Sequence, residues 1–312
     1  MKKDGNRKIR VAFFGSSEFS IPTFKCLLQE KGIDVVSVVT MPATCKNRGK
    51  KLSNNIVYDY AVQNDILLKN IFTPNSLKKN NEIIDTLKQQ NLDFIIVVAY
   101  GKIIPDEIIK LPKFNILNLH PSALPKYRGA APIERAIENG EKEIDICIMK
   151  IDTGLDTGDI AVREKYVLDI NKGANEILPE VAMIGGRLMV KTIKMCVNNE
   201  VFFAKQENDH VSYAKKIDKG ELFLDLEDNS LDAEKVFNKI RAFNNSGCCY
   251  YVYNSQRVKI ISCELMKTKN LICGFDRKTG FLFFKNGTIK PIFVQKEGKK
   301  PMTLKDYLNG LK

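Results

Sequence analysis

The stretch Asn118-Leu-His-Pro-Ser-Ala-Leu-Pro125 places an amide and an imidazole two residues apart at the end of an apolar run. Side chains two residues apart in a strand share a face, so Asn118 and His120 are predicted to line one face of a strand over 116–120. Pro121 favours an extended backbone at His120. Because open α/β sheets bind ligands beyond the carboxyl ends of their strands, the sequence predicts a functional site at this edge.

Short apolar runs alternate with helical patterns around this stretch, through the first two-thirds of the chain. The predicted strands are 10–15, 35–40, 94–99, 116–120, 144–151 and 160–167. The predicted helices are 21–30, 82–90, 131–139 and a long amphipathic one at 175–198. Such alternation predicts an α/β fold built on a doubly wound, mostly parallel, Rossmann-like sheet.

The pattern changes after residue 199. One helical segment, 232–243, is followed by short strand-like runs that turn residues separate, at 249–253, 258–263, 271–273, 281–284 and 292–295. This spacing predicts a smaller C-terminal β-barrel. The chain of 312 residues exceeds one typical domain, and we expect a first domain at 1–199, a linker at 200–209 and a second domain at 210–312.

The eight cysteines are scattered without C-x-x-C spacing, and Cys248 and Cys249 are adjacent. This spacing argues against a zinc site or a disulfide framework, so we expect reduced thiols and no metal. The apolar run after the polar N-terminus is too short for a signal sequence, and no span long enough for a membrane follows. The prediction is therefore a cytoplasmic protein.

The net charge of +12 has two explanations, which composition alone does not separate. One is a solvated lysine-rich surface, and the other is a partner that is a polyanion. The positive charge is concentrated in the loop Lys46-Asn-Arg-Gly-Lys-Lys51 and in the segment from Lys285 onward. That location slightly favours a polyanion.

The loop Gly15-Ser-Ser-Glu-Phe-Ser20 follows the first predicted strand but lacks G-x-G-x-x-G, and no P-loop lysine follows it. A nicotinamide or ATP cofactor is therefore disfavoured. The loop is either a simple turn into a helix, capped by Ser17 or Ser20, or a segment that faces the substrate.

A second informative run, D-T-G-L-D-T-G-D, extends from Asp152 to Asp159. Asp156 lies between two glycines, and a carboxylate beside an imidazole would hold its tautomer and stabilise its charged form. Asp152 and Asp159 are competitors, since either could be a turn residue that binds its own backbone. With no nucleophilic serine or cysteine motif, the set suits acyl transfer to an incoming amine, with a polarised carbonyl and a proton shuttle.

These motifs resemble the folate-dependent formyltransferases. The resemblance rests on 118–125 with its continuation Lys-Tyr-Arg-Gly-Ala-Ala-Pro-Ile133, and on Asp156 in G-L-D-T-G-D. Val97-Val-Ala-Tyr-Gly101 and Arg48-Gly-Lys-Lys51 are similar to the branch of the family that acts on methionyl-tRNA. The likeness is strong from about residue 10 to 168 and weaker at 213–217 and 240–244.

The resemblance implies formyl transfer from 10-formyltetrahydrofolate to the α-amino group of methionyl-initiator tRNA. We expect the protein to be a monomer. It implies that Asn118 polarises the formyl carbonyl, His120 moves the proton and Asp156 orients the imidazole. The turn formed by Ser122, Ala123, Leu124 and Pro125 would contact the folate, and Arg48, Lys50 and Lys51 the tRNA acceptor stem. An oligonucleotide-binding (OB-like) C-terminal barrel would hold the tRNA backbone through lysines.

The sequence departs from the family pattern in the loop at 43–47, which reads Ala-Thr-Cys-Lys-Asn, and at 245–249, which reads Asn-Ser-Gly-Cys-Cys. These departures affect the expected tRNA contacts and leave the chemistry unchanged. Two alternatives stay open. One is a formyltransferase acting on a sugar or nucleotide amine with the same three residues, and the other is an RNA-binding protein that has kept the fold without activity.

Overall fold

The structure is a computed structural model that describes residues 7–46, 51–207, 209–268 and 273–311. In chain order its strands and helices are β1 Ile9–Gly15, α1 Ile21–Gln29, β2 Ile33–Val39, β3 Thr44–Lys46, β4 Lys51–Ser53, α2 Ile56–Gln63, β5 Ile71–Phe72, α3 Asn81–Gln89, β6 Phe94–Val98, α4 Asp106–Ile109, β7 Asn115–His120, β8 Arg128–Gly129, α5 Pro132–Glu138, β9 Glu143–Lys150, β10 Ile160–Val167, α6 Ala174–Val197, β11 Tyr213–Ala214, α7 Ala233–Phe243, β12 Tyr250–Tyr253, β13 Gln256–Met266, β14 Gly274–Phe275, β15 Leu282–Phe284, β16 Gly287–Lys296, β17 Met302–Thr303 and α8 Leu304–Asn309.

The chain forms two compact units that both use discontinuous segments. The first comprises 1–128, 145–166 and 179–212, and the second comprises 129–144, 167–178 and 213–312. The division into 1–199, a linker and 210–312 stays a prediction. Within the described ranges, no helix combines the length and the apolar content that crossing a membrane requires.

A seven-stranded sheet in the order β10-β9-β7-β6-β1-β2-β5 organises the first unit. Strand β1 pairs in parallel with β2 and β6, and β6 pairs in parallel with β7. Strand β9 runs antiparallel to β7, an arrangement common at the edge of an otherwise parallel sheet. The mostly parallel α/β fold predicted from the alternation of apolar runs is confirmed.

The central strands are apolar because both faces of the sheet are covered. Every residue of β6 is buried, and so are the last five residues of β1. Phe13 of β1 stacks on Phe24 of α1 with ring centroids 4.6 Å apart. A continuous apolar run, rather than an alternating one, is the expected signature of such a strand.

Helix α6 packs closely on the strand that carries the candidate site. A Cβ atom built on Gly185 would lie 2.5 Å from a methyl carbon of Leu119, so only glycine fits there. Leu119 is buried against this helix, and strand alternation directs Asn118 and His120 to the other face of β7. Glycine at position 185 therefore lets helix α6 pack directly against strand β7.

The second unit is built on an antiparallel half-barrel in the order β12-β13-β16-β15-β14, with β17 paired to β16. Helix α7 begins after Asp232, whose carboxylate accepts hydrogen bonds from the amides of Glu234 and Lys235. Tyr251 is fully buried in this unit. The smaller C-terminal β-structure predicted from hairpin spacing is confirmed as a half-barrel, although residues 271–272 of one predicted strand lie outside the described residues.

Candidate active site

Strand β7 ends at His120 and places Asn118 and His120 on one face. Asn118 pairs with Val97 of β6 on one side and with Met149 of β9 on the other. The Asn118 side chain is half-buried and forms no hydrogen bond with the residues that the structure describes. An amide held by a strand and unsatisfied by protein groups is suited to bind a ligand oxygen.

The imidazole of His120 is held at both nitrogen atoms. The side chain is buried, Nε2 lies 3.0 Å from the carbonyl oxygen of Tyr127, and Nδ1 lies 3.7 Å from Oδ2 of Asp156. Because a carbonyl only accepts hydrogen bonds, Nε2 must carry the hydrogen and donate it. Nδ1 therefore faces the carboxylate and is the nitrogen that gains or loses a proton.

Asp156 reaches His120 from a loop with an unusual backbone. Its φ is 52°, in the left-handed region that residues other than glycine seldom adopt. Two residues later, a Cβ atom on Gly158 would lie 2.0 Å from the carbonyl oxygen of Lys150, so the loop requires glycine there. The loop conformation is thus set by close contact with β9 and directs the Asp156 carboxylate to the imidazole.

The two competing aspartates take other roles. The Asp152 carboxylate accepts hydrogen bonds from the Gly154 amide at 3.0 Å and the Thr157 hydroxyl at 2.6 Å, as a turn residue does. The backbone carbonyl of Asp159 accepts the amide of Lys150 at 2.8 Å. Asp156 alone of the three has an ion-pair contact with His120 among the described residues.

The turn at 122–125 is tied to the protein through its carbonyl groups. Cys147 donates its thiol hydrogen to the Ser122 carbonyl at 3.1 Å, and Arg163 donates to the Leu124 carbonyl at 2.7 Å. The Leu124 side chain is buried, whereas Ala123 and Pro125 are half-buried. Folate contact by these four residues stays a prediction. Ala123 and Pro125 are the two that are partly exposed and therefore more accessible to a ligand.

The first loop joins the same edge of the sheet. Ser16 donates to the Tyr100 carbonyl at 2.7 Å, and Ser20 donates to the Val98 carbonyl at 2.6 Å. The loop after β1 is therefore bound to the loop after β6, next to the strand that carries Asn118. The interpretation as a strand-to-helix turn is supported, because Ser17 directly precedes a short 3-10 turn at Glu18–Ser20.

The basic loop that is predicted to contact tRNA lies partly outside the described residues, which exclude 47–50 with Arg48 and Lys50. The backbone of Lys51 pairs with Lys46 in the hairpin of β3 and β4, and the two side chains are not described. In the C-terminal unit, Lys290 forms an ion pair with Glu264 at 3.0 Å, whereas Lys285, Lys299 and Lys300 are exposed.

The thiol of Cys147 lies on the strand next to the candidate site and is a weak nucleophile. Cys147 pairs with His120 across β7 and β9, but burial raises the pKa of its thiol to about 12, so it stays protonated. No group of three His, Cys, Asp or Glu side chains in the described ranges is arranged to hold a metal ion.

Sequence reasoning missed four residues that contact or support the site. They are Tyr127, Arg128, Gln206 and Ser212. Arg128 is part of the motif that follows the turn, but nothing in its spacing indicated a supporting role. Gln206 lies in the predicted linker, where a polar residue gives no local signal.

Comparison with known proteins assigns the chain to a family. The family model described as formyl transferase matches residues 8–193, and the model described as formyl transferase, C-terminal domain, matches residues 216–312. The methionyl-tRNA formyltransferase of Clostridium tetani is 35% identical over 314 residues, covering 97% of each chain. That of Clostridium novyi is 34% identical over 307 residues, again covering 97% of each chain.

Solved structures share the fold at lower identity. An N-formyltransferase from Helicobacter canadensis, in complex with folinic acid and dTDP-3-aminofucose, has a TM-score of 0.67 at 21% identity and covers 92% of this chain and 99% of its own. The methionyl-tRNA formyltransferase from Clostridium thermocellum has a TM-score of 0.57 at 19% identity and covers 82% of this chain and 93% of its own. On the two family matches and the full-length relatives, this chain belongs to the formyl transferase family.

Proposed function

We propose that this protein transfers the formyl group of 10-formyltetrahydrofolate to the α-amino group of methionyl-initiator tRNA. The observation that carries the proposal is the buried imidazole of His120, placed between the Tyr127 carbonyl and the Asp156 carboxylate. The full-length relatives at about a third identity, which bear the name methionyl-tRNA formyltransferase, support the choice of acceptor.

The half-buried Asn118 amide fits a formyl oxygen, because its N–H group has no protein acceptor among the described residues. The bound donor supplies an activated one-carbon unit at the formyl oxidation level. When the acceptor amine attacks the formyl carbon, negative charge develops on the formyl oxygen. A donor such as the Asn118 amide stabilises that charge, and such donors contribute roughly 10²–10³ in turnover.

His120 handles the proton that the attacking amine must lose. In the neutral ring, Nε2 carries the hydrogen bonded to Tyr127, so the lone pair of Nδ1 takes the proton. Asp156 then faces an imidazolium ion and balances its charge at a separation of 3.7 Å. The bond between the formyl carbon and the folate nitrogen then breaks, and the imidazolium ion returns the proton to that nitrogen as a general acid.

The positive charge of the chain has a function in this proposal. Phosphate contacts fix the position of a nucleic acid without reading its bases, which suits exposed lysines such as Lys299 and Lys300. Arg48, Lys50 and Lys51 are proposed to act at the acceptor end. The reaction belongs to translation initiation, and we place the protein in the cytoplasm as a monomer.

The test is a formylation assay with purified protein, 10-formyltetrahydrofolate and charged methionyl-tRNA. Initiator tRNA is expected to be formylated and elongator tRNA much less. An amino-sugar nucleotide is the second acceptor in the panel, because a solved structural neighbour was crystallised with one. Formylation of the sugar amine with no reaction of the tRNA would reject the proposed acceptor and keep the proposed chemistry.

A further inference from the structure

The predicted linker contains a residue that contacts the catalytic loop directly. The side-chain amide of Gln206 donates one hydrogen bond to the carbonyl of Asp156 and another to the carbonyl of Gly158, both at 2.8 Å. These bonds use both N–H groups of the amide. They hold the backbone on either side of Thr157, within the loop that carries the carboxylate.

Arg128 fixes the orientation of this amide. Its guanidinium donates from Nε at 3.2 Å and from Nη2 at 2.7 Å to the Oε1 atom of Gln206. The reverse orientation of the amide would place its oxygen against two carbonyl oxygens and its N–H groups against a cation. Arg128 is itself buried, at 6% exposure, so its guanidinium is a fixed anchor.

Residues on both sides of Gln206 in the sequence also form hydrogen bonds with the site. Ala204 exchanges two backbone hydrogen bonds with Ile160, at 2.8 and 2.9 Å, just beyond the Asp156 loop. Ser212 accepts the Tyr127 amide on its hydroxyl at 2.9 Å and the Arg128 amide on its carbonyl at 2.9 Å. The segment thus links the loop that carries Asp156 to the residue whose carbonyl holds His120.

We propose that Gln206, oriented by Arg128, is a positioning residue that holds the Asp156 loop at the distance from His120 that proton transfer requires. The left-handed backbone at Asp156 makes such support necessary, because a non-glycine residue at φ 52° persists only when its surroundings hold it there. This inference rests on the proposed function for its kinetic test alone.

Two substitutions separate positioning from simple stabilisation. Gln206→Leu removes both sets of hydrogen bonds. Gln206→Glu keeps an acceptor for Arg128, and adds an ion pair to it, but has no N–H group for the two carbonyls. Both variants are expected to lower turnover by about 10–100-fold while each KM stays within about twofold, since small misplacements of catalytic groups act on turnover. Gln206→Glu sets a carboxylate oxygen against the two carbonyl oxygens, so it is expected to displace the loop although its contact with Arg128 is kept. Turnover of each variant is measured well below its own Tm, so that a loss of folded protein is not mistaken for a loss of positioning.

The matched control is Gln295→Leu, which removes another side-chain amide that donates to a backbone carbonyl, that of Lys299 at 2.9 Å, in the second unit. It is expected to leave turnover unchanged. A double-mutant cycle completes the kinetic test. In an Asp156→Asn background, Gln206→Leu should have little further effect on turnover, because both substitutions act on the same contact between Asp156 and His120. Unchanged turnover in Gln206→Glu would overturn the proposal. So would a double mutant whose fold-loss in turnover equals the product of the two single losses.

A readout independent of activity uses the fact that the chain has only two histidines, His120 and His210. Ring resonances of ¹⁵N-histidine-labelled protein are assigned with His210→Ala. Gln206→Leu should shift or broaden the His120 signals, whereas Gln295→Leu should not; unchanged His120 signals in Gln206→Leu would overturn the positioning role. If the unaltered protein formylated no acceptor, the proposed function would fail, and this comparison would still decide the role of Gln206.

Discussion

Nε2 of His120 lies 3.0 Å from the carbonyl oxygen of Tyr127, a residue whose own φ is 60°. A left-handed backbone at this position directs the carbonyl to the imidazole, and the Ser212 hydroxyl accepts the Tyr127 amide. The contact assigns different tasks to the two ring nitrogens, because one must donate to a carbonyl and the other is left to face Asp156.

The first prediction follows from this contact. When neutral, His120 should carry its hydrogen on Nε2 rather than on Nδ1, because a carbonyl oxygen requires a donor. The measurement is the pair of ring ¹⁵N chemical shifts in labelled protein at a pH where the ring is neutral. His210 is exposed and serves as the internal reference. A shift pattern showing the hydrogen on Nδ1 would contradict the assignment of the proton-accepting atom.

The second prediction concerns the ion-pair partners. His120→Ala and Asp156→Asn should each lower turnover by roughly 10²–10⁴, the usual size of a general acid–base contribution, with tRNA affinity nearly unchanged. Asp152→Asn is the matched control, since an asparagine there keeps an oxygen for the Gly154 amide and the Thr157 hydroxyl. Single-turnover formylation and tRNA binding are measured for each variant. Full activity in His120→Ala would reject the mechanism.

The third prediction tests the oxyanion role of Asn118. Asn118→Ala should cost roughly 10²–10³ in turnover, and Asn118→Asp should cost at least as much, because a carboxylate repels the developing negative charge. Asn115→Ala, at the start of the same strand, is the control and should retain turnover. Near-native turnover in Asn118→Asp would rule out stabilisation of an oxyanion by this side chain.

A fourth prediction concerns pH and the second unit. Arg135 binds the Glu221 carboxylate at 2.7 and 2.9 Å and lowers its pKa from 4.5 to about 2. A carboxyl whose pKa is depressed by folding stabilises the native state above its unfolded pKa, and this contribution is lost as pH falls through the folded pKa. The loss of thermal stability in Glu221→Gln should therefore be full near pH 6 and should shrink between about pH 5 and pH 2.

The measurement is the difference in Tm between Glu221→Gln and the unaltered protein over that pH range. Glu227→Gln is the control, because Glu227 is exposed and its side chain forms no ion pair with the described residues. A Tm difference that stays constant from pH 6 to pH 2 would show that the ion pair with Arg135 does not provide the stabilisation.

The fifth prediction separates the uses of positive charge. Replacing exposed Lys299 and Lys300 by glutamine should weaken binding of any tRNA and reduce the slope of log affinity against log salt by ~1 per lost phosphate contact. Lys290→Gln should have a smaller effect, since its ammonium is already paired with Glu264. Arg48→Ala should lower single-turnover formylation more than it lowers affinity. Unchanged salt slopes in all variants would indicate a solvated surface.

Local sequence patterns determined much of this protein. Alternating apolar runs and helical spacing predicted the parallel sheet of the first unit, because strands covered on both faces must be apolar throughout. Side-chain alternation in a strand placed Asn118 and His120 on one face, and hairpin spacing predicted the antiparallel C-terminal sheet. The motif around Asp156 and its resemblance to known formyltransferases predicted the family. Each of these inferences depends on residues that are close together in the chain.

Residue spacing did not distinguish Asp156 from Asp152 and Asp159, although the family resemblance favoured Asp156. Only the tertiary structure shows the reason, because the choice depends on which carboxylate approaches an imidazole 36 residues earlier in the chain. The contacts of Tyr127 and Gln206 were also beyond the sequence. A backbone carbonyl has no side-chain signature, and Gln206 meets its partners across separations of 48 to 78 residues. The spacing of residues along the chain predicts which of them share a strand or a helix. Hydrogen bonds between distant loops form only after the sheet has brought those loops together, so no local pattern predicts them.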